Sequence, residues 1–347
     1  MDLKDEFALI DLLTCGGQST HWQRERGVGV GIGDDAAVAG ISPGCSLVMA
    51  CDTMTQHVHF ASWSMRDEDI GFKAMASNIS DMAAMGAVPR YALIALSVPK
   101  GTDEARLQRI YAGMYECASA YEVAIVGGDT TASISGIVIT VTILGEVEAG
   151  RALLRSHAKT GDAVFVTGAL GGSAAGLALL EHAQRSGAAA EAAIQAPLLQ
   201  ALALAHQRPA PQVAAGRLLL RTGLGRALND ISDGIASEAA EIAEASRVGL
   251  AIEEARLPRP AGLDAAAQLL DTPPLEWMLY GGEDYQLLGT VAKEHVHELE
   301  AAFEEHGLKL YVIGYATDDF SGVRLLRADG TVEPLAKRGY NHFATKD

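Results

Sequence analysis

Positive charge is scarce in this chain, and so are paired cysteines and long apolar runs. Its 347 residues carry 27 Lys and Arg against 44 Asp and Glu, a net charge of −17. Nucleic-acid affinity rests on clustered cations facing a phosphate backbone, so this balance excludes a general nucleic-acid binder. The four cysteines, Cys15, Cys45, Cys51 and Cys117, form no C-x-x-C pair and no zinc spacing. Reduced thiols in a cytoplasmic protein are the simplest reading. No stretch of about 18 apolar residues is free of charge, which argues against a membrane span. The start, Met1-Asp2-Leu3-Lys4-Asp5-Glu6, has neither the basic nor the apolar region of a signal peptide. No G-x-x-x-x-G-K-[ST] loop occurs either, so a nucleotide site here is not a P-loop.

What the chain does have is acid placed after apolar runs. Gly31-Ile32-Gly33 leads directly into Asp34-Asp35. Small glycines let backbone approach a ligand, and alternation along an extended segment lets only one of the two acids face a given site. Asp52 follows the apolar run 46–51, Asp81 lies within 78–89, Asp129 follows 123–128, and Asp230 and Asp233 flank Ile231-Ser232. A turn-forming aspartate after a strand explains any one of these positions, but explains the series poorly. Brought together, such carboxylates repel by about 4 kcal/mol per pair at contact distance, so they call for cations. Gly27, Gly29, Gly31 and Gly33 alternate with Val28, Val30 and Ile32 and mimic a dinucleotide fingerprint. That motif needs a helix after its glycines, and here an acidic pair comes instead.

The length predicts two domains, and 49% apolar with 20% charged residues suits a soluble α/β protein. The pattern changes near Gly150, which divides the chain into 1–149 and 150–347. Apolar spacing predicts helices over 6–14, 67–86, 102–121, 235–246 and 295–306, with an Ala- and Leu-rich helical region up to about 220. Strands are predicted over 46–51, 57–60, 123–126, 137–147, 164–166, 286–291 and 309–313. Residues 16–26 are polar and read as a loop that orders on binding. Asn78 and Asp81, three apart on a helix, share a face. Asp230 to Gly234 stands just before a helix, where free N–H groups favour an anion.

Six ordered stretches, 31–38, 78–89, 126–131, 230–234, 281–285 and 339–343, together resemble the thiamine-monophosphate kinases of the aminoimidazole-ribonucleotide-synthetase-like superfamily. The resemblance implies an α/β (α+β) fold in two domains. The N-terminal domain carries metal- and ATP-binding aspartates on a sheet that pairs across a homodimer, and a C-terminal α/β domain completes the cleft. It implies ATP- and magnesium-dependent phosphorylation of thiamine monophosphate to thiamine diphosphate. By position, Asp35, Asp52, Asp81, Asp129, Asp230 and Asp233 resemble ligands of several magnesium ions, for which hard oxygen donors are suited. Gly128 and Asp129 would lie against ATP phosphates, with Tyr111, Arg155 and Ser232 as further nucleotide contacts; a guanidinium is a fixed fork for phosphate oxygens. His59, Glu283 and Tyr340 match substrate contacts, and a carboxylate with an aromatic face suits a cationic thiazolium. The acceptor phosphate is already ionised, so no nucleophile is assigned to the protein.

Departures from the family pattern bear on the metals and the substrate. Ala50-Cys51 stands where hydroxyl residues are usual, and a thiol is a poor magnesium ligand. The run Asp52-Thr53-Met54-Thr55-Gln56-His57 and Ala132 also differ from it. Two other readings stay open on the sequence. One is another ATP-using synthetase of the superfamily, acting on selenophosphate or aminoimidazole ribonucleotide; Thr14-Cys15-Gly16-Gly17 favours the former superficially. The other is a non-catalytic nucleotide-binding regulator.

Overall fold

The computed structural model describes residues 6–188 and 194–338, with side chains from residue 8. The chain divides into two units, residues 1–82 with 87–151, and residues 83–86 with 152 onward.

The first unit contains α1 (Glu6–Thr14), α2 (Thr20–Glu25), β1 (Val28–Val30), β2 (Val38–Ala39), β3 (Cys45–Thr55), α3 (Asp67–Ala84), β4 (Val88–Pro99), α4 (Glu104–Ala120), β5 (Ala124–Ser133) and β6 (Val138–Glu148). Its main sheet runs β3-β6-β4-β5. β6 is antiparallel to both neighbours, while β4 and β5 are parallel. A parallel pair needs a crossover, and α4 supplies it. Glycines let α3 and α4 meet backbone to backbone. A β-carbon on Gly71 would stand 1.8 Å from the Ile110 carbonyl oxygen, and one on Gly113 1.8 Å from that of Glu68. β3 lies at the sheet edge and leaves Leu47 and Met49 exposed, the latter at 66%.

A short antiparallel ribbon of β1 and β2 carries the acidic pair between its strands. Its base is closed by the Gly40 N–H donated to the Gly27 carbonyl at 3.1 Å. The buried Tyr91 hydroxyl lies 2.9 Å from the Arg26 carbonyl and 2.6 Å from that of Gly40, so one side chain of β4 grips both ends of the segment.

The second unit contains β7 (Asp162–Val166), α5 (Gly172–Ser186), α6 (Pro197–Gln207), α7 (Val213–Thr222), β8 (Gly225–Asp230), α8 (Ile235–Ser246), β9 (Gly249–Glu253), α9 (Leu263–Leu270), α10 (Pro274–Tyr280), β10 (Leu287–Ala292), α11 (Val296–Glu305), β11 (Tyr311–Thr317), β12 (Gly322–Leu326) and β13 (Val332–Pro334). Seven strands form one sheet in the order β13-β12-β9-β11-β7-β10-β8. All pairs are antiparallel except β9 with β12. β7 and β10 are buried along their whole length and are apolar apart from Asp162 and Thr290. Val164, Val166 and Leu288 pack with Leu179, Ile235 and Ile242 in the core.

Several elements differ from the sequence expectation. Residues 20–25 form α2 within the polar stretch read as a loop, because the Ser19 side chain caps it by accepting the Trp22 N–H at 3.2 Å. Residues 57–60 are a turn and not a strand. His57 takes a left-handed φ of 69°, and the His59 ring nitrogen Nδ1 accepts the Thr55 N–H at 3.0 Å, bending the chain back on itself. β5 runs past the expected end at 126, through Gly127-Gly128, to Ser133. The β-branched Thr130 and Thr131 suit the extended backbone that follows the glycines. No helix among the described residues is long and apolar enough to cross a membrane.

Candidate active site

In the first unit, Asp34 and Asp35 lie in the turn between β1 and β2, and both are exposed. The Asp34 carboxylate accepts the Asp35 N–H at 2.8 Å and closes its own turn. Asp52 lies on β3, and its N–H donates to the Asn78 side-chain oxygen at 2.9 Å. The Asn78 amide nitrogen in turn donates to the Ala74 carbonyl at 3.0 Å, so this buried residue ties β3 to α3. Asp81 follows one turn further on the same helix face. Asp129 is exposed on β5, opposite Ala95 of β4. The next glycine inward has no freedom to grow: a β-carbon on Gly128 would stand 1.9 Å from the Ile94 carbonyl oxygen. Cys51 points away from Asp52 by strand alternation and meets the Thr142 hydroxyl at 3.4 Å. Of the two unusual residues before Asp52, only Ala50 therefore shares its face.

Other residues picked out in this unit sit differently. Tyr111 is buried in α4, 7% exposed, with its ring centroid 6.2 Å from that of Tyr115. Burial pushes its hydroxyl pKa well above the usual tyrosine range. His59 accepts through Nδ1, which leaves Nε2 to carry the ring proton in the neutral form.

In the second unit, the buried Asp230 ends β8, and Ser232 and Asp233 lead into α8. The sequence reading passed over the residue at the centre of this turn, Glu238. Its Oε1 accepts the Asp233 N–H at 3.1 Å and the Ser232 hydroxyl at 3.3 Å, and its Oε2 accepts the Asn229 amide at 2.5 Å. Burial pushes the Glu238 carboxyl up to about 8; the Asp233 N–H opposes this, and the charges of Glu241, Asp230 and Asp233 add to it. Arg155 reaches the same group: Nε donates to the Asn229 side-chain oxygen at 2.9 Å, and Nη1 lies 3.4 Å from Glu241. The only local signal for Glu238 was its place in the first turn of the helix after the aspartates.

The loop 281–285 is laced to this turn. Glu283 donates its N–H to the Ser232 carbonyl at 2.7 Å, and Tyr285 donates to that of Ile231 at 2.9 Å. Asp284 accepts the Gly171 and Ser173 N–H groups at 2.6 and 3.1 Å, supplying the cap that Gly171 cannot give to α5. Burial pushes the Asp284 carboxyl up to about 7, against these backbone donors and helped by the Glu283 charge. Tyr340 and the stretch 339–343 lie outside the described residues.

Among the described residues, no three His, Cys, Asp or Glu side chains form a group that holds a metal ion unaided. The donor chemistry nevertheless fits magnesium. Every candidate is a hard carboxylate, and this ion characteristically keeps waters and takes one or two carboxylates plus phosphate oxygens. The mutual repulsion around Glu238 is the kind a divalent cation relieves.

Comparison with known proteins gives the family. The N-terminal domain of AIR synthase related proteins matches residues 33–147, and the C-terminal domain matches 159–326. Thiamine-monophosphate kinase of Bacillus subtilis (strain 168) is 42% identical over 342 residues, covering 98% of this chain and 99% of that protein. The crystal structure of thiamine-monophosphate kinase from Stenotrophomonas maltophilia K279a superposes with a TM-score of 0.80 at 34% identity, covering 97% of this chain and 99% of that one. AaThiL complexed with AMPPCP and TMP superposes with a TM-score of 0.75 at 32% identity, covering 97% of each. With both domains matched in order and the whole length aligned, the chain belongs to the thiamine-monophosphate kinase family.

Proposed function

We propose that this chain is a cytoplasmic kinase that transfers the γ-phosphoryl group of ATP to the phosphate of thiamine monophosphate, giving thiamine diphosphate. The observation that carries the reading is the full-length likeness to a relative solved with an ATP analogue and TMP, over a chain that keeps all six aspartates. The acceptor oxygen is ionised at neutral pH, so catalysis reduces to positioning and charge stabilisation of a loose transition state. Asp35, Asp52, Asp81 and Asp129 of the first unit and Asp230 and Asp233 of the second are the proposed magnesium ligands. Bound there, magnesium supplies neutralisation of triphosphate charge.

The chain's own groups do the rest. The tight approach of Gly128 to β4 fixes the backbone beside Asp129, which is the proposed contact to ATP phosphates. Arg155 is held by Asn229 and Glu241 with half of its side chain exposed, a fork kept in place for phosphate oxygens. Ser232 is the further nucleotide contact, its hydroxyl oriented by Glu238. Tyr111 stays in the packing of α4. His59, Glu283 and Tyr340 are the proposed contacts to thiamine monophosphate, with Glu283 facing the thiazolium charge. The exposed apolar edge of β3 supports a homodimer through the first unit's sheet.

The test is product formation by chromatography from purified protein, ATP, magnesium and thiamine monophosphate, beside a thiamine control. Thiamine diphosphate formed only with the monophosphate and metal supports the reading. A folded protein that binds ATP and forms no product refutes it.

A further inference from the structure

Two buried polar side chains, His206 and Ser173, have no place in the scheme above. His206, in the last turn of α6, is 2% exposed, and its Nδ1 lies 3.3 Å from Glu283 Oε2 and 3.1 Å from Ser173 Oγ. A serine, a histidine and a glutamate in contact suggest a hydrolytic triad, but the geometry excludes it. A triad uses opposite ring nitrogens for its acid and its nucleophile, whereas both contacts here fall on Nδ1. Ser173 is moreover 1% exposed, behind the first turn of α5. An ionised carboxylate only accepts, so Nδ1 carries the ring proton and shares it between Glu283 and Ser173. The cluster therefore aims a carboxylate.

The backbone of the same loop points the same way. Glu283 and Tyr285 adopt left-handed φ values of 65° and 47°. Residues with a β-carbon hold that conformation only where their surroundings enforce it, and such residues concentrate at ligand sites. Between them Asp284 is clamped by two N–H groups of α5, and Ser173 contributes one of these while its hydroxyl meets His206. Backbone and side chain of the loop are thus fixed to α5 and α6 independently of each other.

We propose that His206 and Ser173 are positioning residues that set the Glu283 carboxylate against the cationic ring of the acceptor. The proposal rests on the reading of Glu283 as an acceptor contact. It assigns to α5 and α6, which carry no residue of the aspartate series, a part in choosing the acceptor.

Two amide substitutions at one position separate this role from simple packing. The Asn side chain places its NH2 near the position of histidine Nδ1, whereas Gln reaches the position of Nε2. In steady-state kinetics on the full chain, His206→Gln should raise the KM for thiamine monophosphate by about tenfold, the loss expected for one charge-assisted hydrogen bond. The KM for ATP should stay unchanged, and His206→Asn should restore most of the loss. Ser173→Ala, a smaller change, should shift the acceptor KM the same way by a few-fold. His206→Gln combined with Glu283→Gln should be no worse than Glu283→Gln alone. Equal damage from Asn and Gln, a matching rise in the KM for ATP, or additive losses in the double variant would each overturn the proposal. If Glu283→Gln raises the acceptor KM and His206→Gln does not, the positioning role alone fails. If Glu283→Gln leaves the acceptor KM unchanged, the reading of Glu283 fails and the proposal with it.

Discussion

Two adjacent glycines on β5 should respond in opposite ways to the same added methyl group. At Gly128 the new β-carbon would stand 1.9 Å from the Ile94 carbonyl oxygen and 2.7 Å from its carbon. Real β-carbons essentially never come closer than 3.0 Å, so the parallel strands β4 and β5 must part by about an ångström. Overpacking of this kind costs about 1–3 kcal/mol. The displacement falls on the residue before Asp129, and a misplacement of about 1 Å at reacting groups can cost on the order of a hundredfold in rate. At Gly127 the β-carbon would meet only the end of the Leu93 side chain at 3.2 Å, which can rotate away. Thermal unfolding and thiamine diphosphate formation should both fall sharply in Gly128→Ala and stay near wild type in Gly127→Ala. Equal, mild effects in the two variants would refute the reasoning, because they would show that β5 carries no constraint at Gly128.

Three other consequences are open to measurement. Tyr91→Phe removes the hydroxyl that grips both ends of the segment carrying Asp35; it should cost about 0.5–1.5 kcal/mol and raise the magnesium concentration at half-maximal turnover. Gly113→Ala forces a β-carbon to within 1.8 Å of the Glu68 carbonyl oxygen, so α3 and α4 must separate and the denaturant midpoint should drop by an amount worth about 1–3 kcal/mol. Asp284 keeps its proton up to about pH 7 in the folded chain, whereas the unfolded chain sheds it near pH 4. Stability therefore falls through this residue as pH rises from 4 to 7, and denaturant titrations across that window should fall less steeply in Asp284→Asn than in wild type.

Much of this fold was legible because its signals are local. α3 and α4 show apolar spacing over long spans, and Asp103 supplies the α4 cap by accepting the Ala105 N–H. The six aspartates stand out in the sequence as a series, Asp52 and Asp129 after apolar runs and Asp35 beside glycines, and their metal role is a proposal. What escaped depended on distant partners. Residues 57–60 alternate like a strand, but the His59 ring competes for the Thr55 N–H and turns the chain. β9, β12 and β13 are short strands of three to five residues, too brief for their pattern to stand out. Glu238 and His206 look like an ordinary helix acid and an ordinary helix histidine. Their importance lies in contacts such as Glu238 to Asn229 or His206 to Glu283, which no spacing in the sequence announces.

The distribution of acids along the chain also bears on which metal such a site would take. A cage of three or four carboxylates would bind divalent cations whether or not a nucleotide was present, and would favour calcium, which accepts many protein oxygens. Acids set singly on separate strands, as Asp52, Asp129 and Asp230 are, offer one or two oxygens each and leave the remaining positions to water and phosphate. On the proposed reading, magnesium is then held well only when the triphosphate supplies its share. Glu238, beside Asp230, Asp233 and Glu241, adds no charge to this group near neutrality: burial above all, with those neighbouring charges adding, lets it retain its proton to about pH 8. Glu238→Gln fixes the neutral form, so magnesium binding in the presence of ATP should match wild type at pH 7 and fall below it above about pH 8, where only the wild-type carboxyl ionises. Isothermal titration with a non-hydrolysable ATP analogue on either side of pH 8 would show this, and an equal loss at both pH values would contradict the argument.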